Sequence, residues 1–397
     1  MSKPLAVSSS SIRHRLSHAV SALPPSGIRR FFDLVSTMDN VISLGVGEPD
    51  FVTPWKVRDA CVEALEQGYT TYTSNSGLPA LREAVAEYLW GQYQLRYEPG
   101  EEILITVGAS EAIDLALRAI LNPGDEVLVI EPAYISYAPC VTLAGGTPVA
   151  VDTDARTGFK PTAEQLERHI TPRTKAIIFC FPNNPTGAAL RKEELASLAE
   201  VIRRHDLLVI SDEIYGELTY EGKHVSIASL PDMKDRTILI SGMSKAFAMT
   251  GWRIGYACGH PEVIELMRKI HQYTMLCAPI MSQMAAVEAL RNGLDEMREM
   301  VLSYKQRRNL FIKGLSQIGL PCHQPEGAFY AFPSIKETGL TSEEFAERLL
   351  FEAGVAVVPG NVFGKSGHGY IRCSYATSVQ QITEALERMA RFLQRLR

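Results

Sequence analysis

Between residues 100 and 260 the chain alternates short, continuously apolar runs with segments whose apolar residues recur at helical spacing. The runs Glu126 to Ile130, Thr147 to Val151, Ala176 to Cys180, Leu207 to Ser211, Thr237 to Ile240 and Ile254 to Cys258 have strand length and carry no solvent-facing alternation, so they predict strands covered on both faces. Helices are predicted over Leu78 to Trp90, where Leu81, Ala84, Val85, Tyr88 and Leu89 share one face, and over Ser110 to Leu121 and Arg191 to His205. Turn signals at Asn122-Pro-Gly124 and Pro182-Asn-Asn-Pro-Thr-Gly187 fall between these elements. Such an alternation predicts an α/β fold, a mostly parallel sheet flanked by helices.

From about Asp295 the texture changes. A long charged helix (Glu296 to Leu315) precedes short apolar runs at Ala328 to Phe332 and Val355 to Val358, and an amphipathic helix (Ser378 to Leu396) closes the chain. The expected organisation is a large domain over 45–295 and a smaller α+β domain built from 296–397 with an N-terminal arm, 1–44; Ser8 to Ser11 reads as a loose terminus. No internal repeat or low-complexity segment interrupts it.

Composition narrows the function classes. A hydrophobic content of 46% in 397 residues is ample for a core. Net charge is −5, and the basic pairs Arg29-Arg30, Arg203-Arg204 and Arg307-Arg308 are isolated, which argues against nucleic acid as a partner. Seven widely spaced cysteines without a Cys-x-x-Cys predict reduced thiols rather than a disulfide framework or a zinc site. No run approaches the roughly 18 apolar residues that span a bilayer, and the first ten residues lack a secretory apolar core. A cytoplasmic protein, with no membrane partner and no metal, is expected.

The chemistry sits where the apolar runs end. Ligands of open parallel sheets bind beyond the carboxyl ends of the strands, and three consecutive runs here lead into Asn183-Asn184-Pro-Thr-Gly187, Asp212-Glu-Ile-Tyr215, and Ser241 followed by Lys245. A lysine beyond an apolar strand can be desolvated into a reactive amine, a Schiff-base candidate. Arg253, eight positions on, offers a charged fork to a phosphate, and Ser241 and Ser244 offer hydroxyls. Phosphate plus Schiff base suggests pyridoxal phosphate. Asp212 is then a candidate counter-charge for a protonated ring nitrogen, and Tyr215 and Asn184 are candidate donors to the ring oxygen.

Gly108, Ala109 and Ser110 stand where a loop passes into a helix, either a phosphate cradle or a plain Ser N-cap. Tyr134 is a candidate for stacking on the cofactor ring or an ordinary packing residue. Arg372 lies inside an apolar strand and needs a carboxylate, from the protein or from a substrate. Three motifs are discounted: Gly360 to Ser366 has only three residues between its glycines, Gly45-Val-Gly47 lacks a third glycine, and His14 and His18 have no acidic neighbour of the zinc-protease kind.

Taken as an ordered set, the Lys245 segment, Asn183 to Gly187, Asp212 to Tyr215, Tyr72-Thr-Ser-Asn-Ser-Gly77 and the Arg372 strand resemble the class I/II aminotransferases, pyridoxal-phosphate enzymes of fold type I. The resemblance runs from about Gly27 to the C-terminus and is nearest the aromatic and broad-range bacterial and archaeal branch. It implies Lys245 as the Schiff-base residue and proton shuttle, Asp212 on the pyridine nitrogen, Asn184 and Tyr215 on the ring oxygen, and Tyr134 against the ring. It also implies Ala109, Ser110 and Arg253 on the phosphate, and Arg372, helped by Asn184 and the Gly45 backbone, on the substrate carboxylate. Tyr72 would serve the neighbouring subunit of a homodimer with shared active sites. Many relatives carry a serine at the position of Gly242, so Ser241 or Ser244 would have to replace it. The expected activity is ping-pong transfer between an aromatic or broad-range L-amino acid and a 2-oxo acid, 2-oxoglutarate. Aspartate or acetyl-diaminopimelate aminotransferase and a carbon–sulfur lyase are the alternatives. In aspartate-selective relatives a lysine stands where this chain has Ser110, which favours aromatic donors.

Overall fold

The computed structural model describes residues 12–24, 38 and 40–396; Ser8 to Ser11 and the Gly27 start of the resemblance lie outside the described residues. In chain order the strands are β1 (Ile42–Ser43), β2 (Ile103–Thr106), β3 (Glu126–Glu131), β4 (Thr147–Asp152), β5 (Thr174–Cys180), β6 (Leu208–Asp212), β7 (Thr237–Gly242) and β8 (Gly255–Cys258). They are followed by β9 (Tyr330–Ala331), β10 (Val355–Ala356), β11 (Val358–Pro359) and β12 (Ile371–Ser374).

The central sheet has seven strands in the order β2-β8-β7-β6-β5-β3-β4. Strands β7, β6, β5, β3 and β4 run parallel, while β8 lies antiparallel to both β7 and β2. The inner parallel strands β3, β5, β6 and β7 are apolar through their middles because helices cover both faces, and Leu128, Ile177, Val209 and Ile240 are fully buried; β4, at the sheet edge, buries only Val151, so the expected cover on both faces is not found there. Ile103–Thr106 was not among the expected strands. It is a four-residue run that gains its identity only by pairing with β8 across 150 residues of chain.

The chain leaves β3 for β4 on one side and returns to β5 on the other. The crevice at that reversal, outside the carboxyl ends of β3, β5, β6 and β7, is where a doubly wound sheet accepts a ligand. The register puts Cys180 opposite Asp212 and Asp212 opposite Ile240, so the loops after these strands open side by side.

Beyond residue 294 a 24-residue helix (Leu294–Gln317), the antiparallel set β11-β12-β9 and the helices Ser342–Ala353 and Val379–Leu396 pack together. The expected apolar runs there form only two-residue strands. Strand β1 joins this part by pairing with β10, and Ser374 donates its N–H to Leu44 O at 2.6 Å, which brings the Gly45–Glu48 segment over the crevice. No helix among the described residues is long and apolar enough to cross a membrane.

Candidate active site

A cavity of ≈ 660 Å³ opens at the predicted strand ends. Its wall includes Lys245, Asp212, Tyr215, Asn184, Tyr134, Ala109, Ser110, Ser244, Arg253 and Arg372, residues up to 263 positions apart in the chain.

One end is built to take an anion. The helix Gly108–Ile120 starts at Gly108 with Val107 as N-cap and no side-chain cap, so Ser110 is a first-turn residue and not the cap. The N–H groups of Gly108, Ala109 and Ser110 are therefore first-turn donors without an intrahelical acceptor. Arg253 closes the same end. Its backbone is held in the left-handed region (φ 51°, ψ 57°), uncommon for a residue with a long side chain. Its Nη1 donates to Thr250 O at 3.0 Å.

The close approach of these segments depends on glycine. A Cβ on Gly255 would lie 2.7 Å from Ala109 N, and one on Gly108 would lie 2.7 Å from Arg253 Nη2. Gly242 is a further case: a Cβ there would sit 2.8 Å from Gly255 Cα and 2.9 Å from Ile254 O, so the serine common at this position has no room. Of the two neighbouring serines, Ser244 lines the cavity and is buried. Ser241 does not; its Oγ donates to Glu213 O at 3.3 Å beneath the loop.

The other end is acidic. Asp212, the last residue of β6, is buried; its Oδ2 accepts from Tyr137 Oη at 2.7 Å and its Oδ1 from Ile214 N at 3.2 Å. Burial pushes its pKa up to about 6, and the bonds from Tyr137 and Ile214 hold it from rising further. Neither hydrogen-bond partner is a cation, and the charge of Lys245 is the weakest of the influences that hold the pKa down.

Between the ends stands Lys245. Its Nζ donates to Gly47 O at 2.8 Å, and burial pushes its pKa down to about 8 against the opposing pull of the Glu48 carboxylate. A lysine lowered this far is neutral about a tenth of the time at pH 7, far more than an ordinary solvated lysine, and the neutral amine is what a nucleophile or proton acceptor requires.

The remaining groups meet at Arg372 on β12. Nη1 donates to Asn184 Oδ1 at 2.9 Å and Nη2 to Gly45 O at 2.7 Å, while Nε is buried with no partner. The guanidinium lies over the rings of Tyr330 (4.5 Å) and Phe363 (4.9 Å). No carboxylate of the protein pairs with it among the described residues. Asn184 is presented by a turn in which Asn183 Oδ1 accepts from Thr186 N (3.1 Å) and Thr186 Oγ1 (2.8 Å). Tyr215 Oη lies 2.8 Å from Tyr330 Oη, and burial pushes its pKa well up, so it is a neutral donor.

Tyr72 is 82% exposed and does not line this cavity, and Gly45 contributes through its carbonyl to Arg372. Sequence reasoning missed Tyr137, which sets Asp212, and Tyr330, which joins Tyr215 to Arg372. Tyr137 stands three residues after Tyr134, with which it packs edge-to-face at 5.5 Å, and only the fold shows that it reaches Asp212.

Comparison with known proteins identifies the family. Residues 39–389 match the family model of aminotransferase class I and II. The protein YugH of Bacillus subtilis (strain 168) is 58% identical over 378 residues, covering 95% of this chain and 98% of its own length. The aspartate aminotransferase of Pyrococcus abyssi (strain GE5 / Orsay) is 47% identical over 384 residues, covering 95% and 98%. Among solved structures, the aromatic aminotransferase from Pyrococcus horikoshii OT3 superposes with a TM-score of 0.89 at 46% identity, over 92% of this chain and 99% of that one. With a family match over nearly the whole described chain and close relatives of full length, the protein belongs to the class I and II aminotransferases and is a transaminase of fold type I.

Proposed function

We propose that the cavity binds pyridoxal phosphate and transfers an amino group from an aromatic L-amino acid to a 2-oxo acid, 2-oxoglutarate, in two half-reactions. The observation that carries this reading is the unpaired, buried Nε of Arg372 in one cavity with a lysine of lowered pKa and a buried aspartate whose hydrogen-bond partners are neutral. The residues fit the cofactor at each end. Gly108, Ala109, Ser110, Ser244 and Arg253 would hold the phosphate, Asp212 the ring nitrogen, Asn184 and Tyr215 the ring oxygen, and Tyr134 a ring face. When bound, pyridoxal phosphate supplies the electron sink that lets an amino acid lose its α-proton.

The chain's own residues do the rest. Arg372 turns its free Nε and one Nη to the substrate α-carboxylate, giving up the bond to Gly45 O for a bidentate pair, and the Tyr330 and Phe363 rings fix the plane of the fork. Lys245 in its neutral form would take the α-proton and later return one. Asp212, as a carboxylate, would hold positive charge at the far end of the site. Tyr137 keeps its carboxylate aimed there.

The substrate side chain meets an apolar wall that includes Val46, Ile113, Ile135 and Tyr134. The cations lining the cavity are Lys245, Arg253 and Arg372, all three already assigned, and Glu48 adds a negative charge. This surface suits an aromatic donor better than aspartate. A homodimer would bring a neighbouring subunit to the mouth of this site, a reading supported by exposed Tyr72, Tyr273 and Met275 on segments that Asn75 Nδ2 joins by a 2.7 Å bond to Leu276 O. Aspartate as donor is the second reading, favoured by the name of the Pyrococcus abyssi relative.

A donor panel assayed against 2-oxoglutarate tests the proposal. Tyrosine and phenylalanine turning over at higher kcat/KM than aspartate is the expected result. Selective turnover of aspartate would replace the aromatic reading. Release of ammonia or thiol without an acceptor would replace transamination by a lyase reaction.

A further inference from the structure

The turn that presents three N–H groups to the anion end of the cavity has a carboxylate directly beneath it. Glu111 Oε2 accepts from Val107 N at 2.5 Å, and its Oε1 lies 2.7 Å from His271 Nδ1. His271 is completely buried, and its Nε2 has no partner. A buried polar atom left unsatisfied is costly, so the contacts on the other side of the ring must justify its place there.

The carboxylate occupies the N-cap's own N–H and leaves those of Gly108, Ala109 and Ser110 open. An unpaired carboxylate so near the anion end would also repel the anion, and the imidazole N–H draws that charge to the opposite side. His271 is itself a fixed post: its carbonyl accepts from Met275 N and Leu276 N, both at 2.9 Å, at the end of the helix Pro261–Thr274. Each partner thus has one hand on the phosphate turn or on a rigid helix end.

We propose that Glu111 and His271 form a positioning pair for the phosphate turn, setting the three N–H groups for the cofactor's phosphate. This rests on the pyridoxal-phosphate reading above. His271 touches no cofactor atom and acts through Glu111.

The test compares pyridoxal phosphate with pyridoxal, which lacks the phosphate, binding to cofactor-free protein measured by fluorescence quenching. His271→Leu removes the Nδ1–H donor, and His271→Asn restores an amide N–H near its place. In His271→Leu the affinity for pyridoxal phosphate should fall about tenfold, the loss expected of one charge-assisted hydrogen bond, with pyridoxal affinity unchanged. His271→Asn should recover most of that loss. Equal weakening of both ligands, or an unchanged ratio, overturns the positioning role and leaves the pair a packing feature. Should His271→Leu fail to fold, Glu111→Gln gives the same comparison, because an amide has a single acceptor oxygen for the two donors. Wild-type protein that binds neither ligand overturns the cofactor reading itself, a result distinct from an unchanged ratio.

Discussion

Replacing Asp212 with asparagine should stabilise the cofactor-free protein while destroying its activity. The carboxyl is pushed from 3.8 to about 6 chiefly by burial. At about 1.36 kcal/mol per pH unit, keeping it ionised at neutral pH costs the folded state about 3 kcal/mol. Asparagine carries no charge to desolvate. It has one acceptor oxygen where the carboxylate uses two, one on Tyr137 and one on Ile214, so it forfeits a hydrogen bond of about 1 kcal/mol. The net expectation is a gain of about 2 kcal/mol at pH 7.

The sign in pH follows from proton counting. Between 3.8 and about 6 the folded protein binds more protons than the unfolded chain, so Asp212 lowers stability as pH rises through that window. The advantage of the asparagine variant should be full above about pH 6 and absent below about pH 4. Urea unfolding of both cofactor-free proteins at pH 7.5 and pH 4, at one fixed protein concentration, measures it. The variant should still take up cofactor, and its half-reaction rates should collapse. A variant less stable than the parent at pH 7.5, or one whose difference does not change with pH, would refute the picture of an uncompensated buried carboxylate.

Arg372→Lys keeps the charge but loses the fork, so reaction with amino acids should fall roughly tenfold to over a hundredfold at an almost unchanged Tm; a variant that melts early while its folded fraction reacts normally would make Arg372 a structural residue. Gly108→Ala places a methyl group 2.7 Å from Arg253 Nη2 on a backbone of φ +76°. Its cofactor affinity, read by equilibrium dialysis, should drop about tenfold, and an unaltered affinity would clear Arg253 of a phosphate role. If the neutral amine of Lys245 is the group that reacts with the cofactor, its pKa, pushed down to about 8, should make uptake by the cofactor-free protein quicken as pH rises from 6.5 and level off above about 8. Stopped-flow absorbance follows this, and a rate still climbing toward pH 10 would mean that burial does not lower this lysine.

Much of this site could be read in the sequence because a parallel sheet writes its chemistry at strand ends. Each of β5, β6 and β7 has an apolar stretch that leads into polar residues at its carboxyl end, so Asn184, Asp212 and Lys245 could be placed at a shared edge before the strands were paired. The direction of β8 could not be read, since a buried strand looks the same in either sense, and β2 was too short to separate from the helix that follows it. Tyr137 and His271 stayed hidden for a related reason. Their meaning rests on partners 75 and 160 residues away, and neither sits in a local pattern that points to its partner. The choice between Ser241 and Ser244 needed the actual path of the loop, which turns one hydroxyl inward and the other into the cavity.

The central claim is that one lysine, Lys245, carries the cofactor between an anion end and an acidic end. Reducing the cofactor-loaded protein with borohydride and mapping the pyridoxyl-labelled peptide tests it most directly. The account predicts a single label on Lys245, in the peptide containing Ser244 and Ala246. A label on any other lysine, or a loaded protein that borohydride leaves unlabelled, would contradict it.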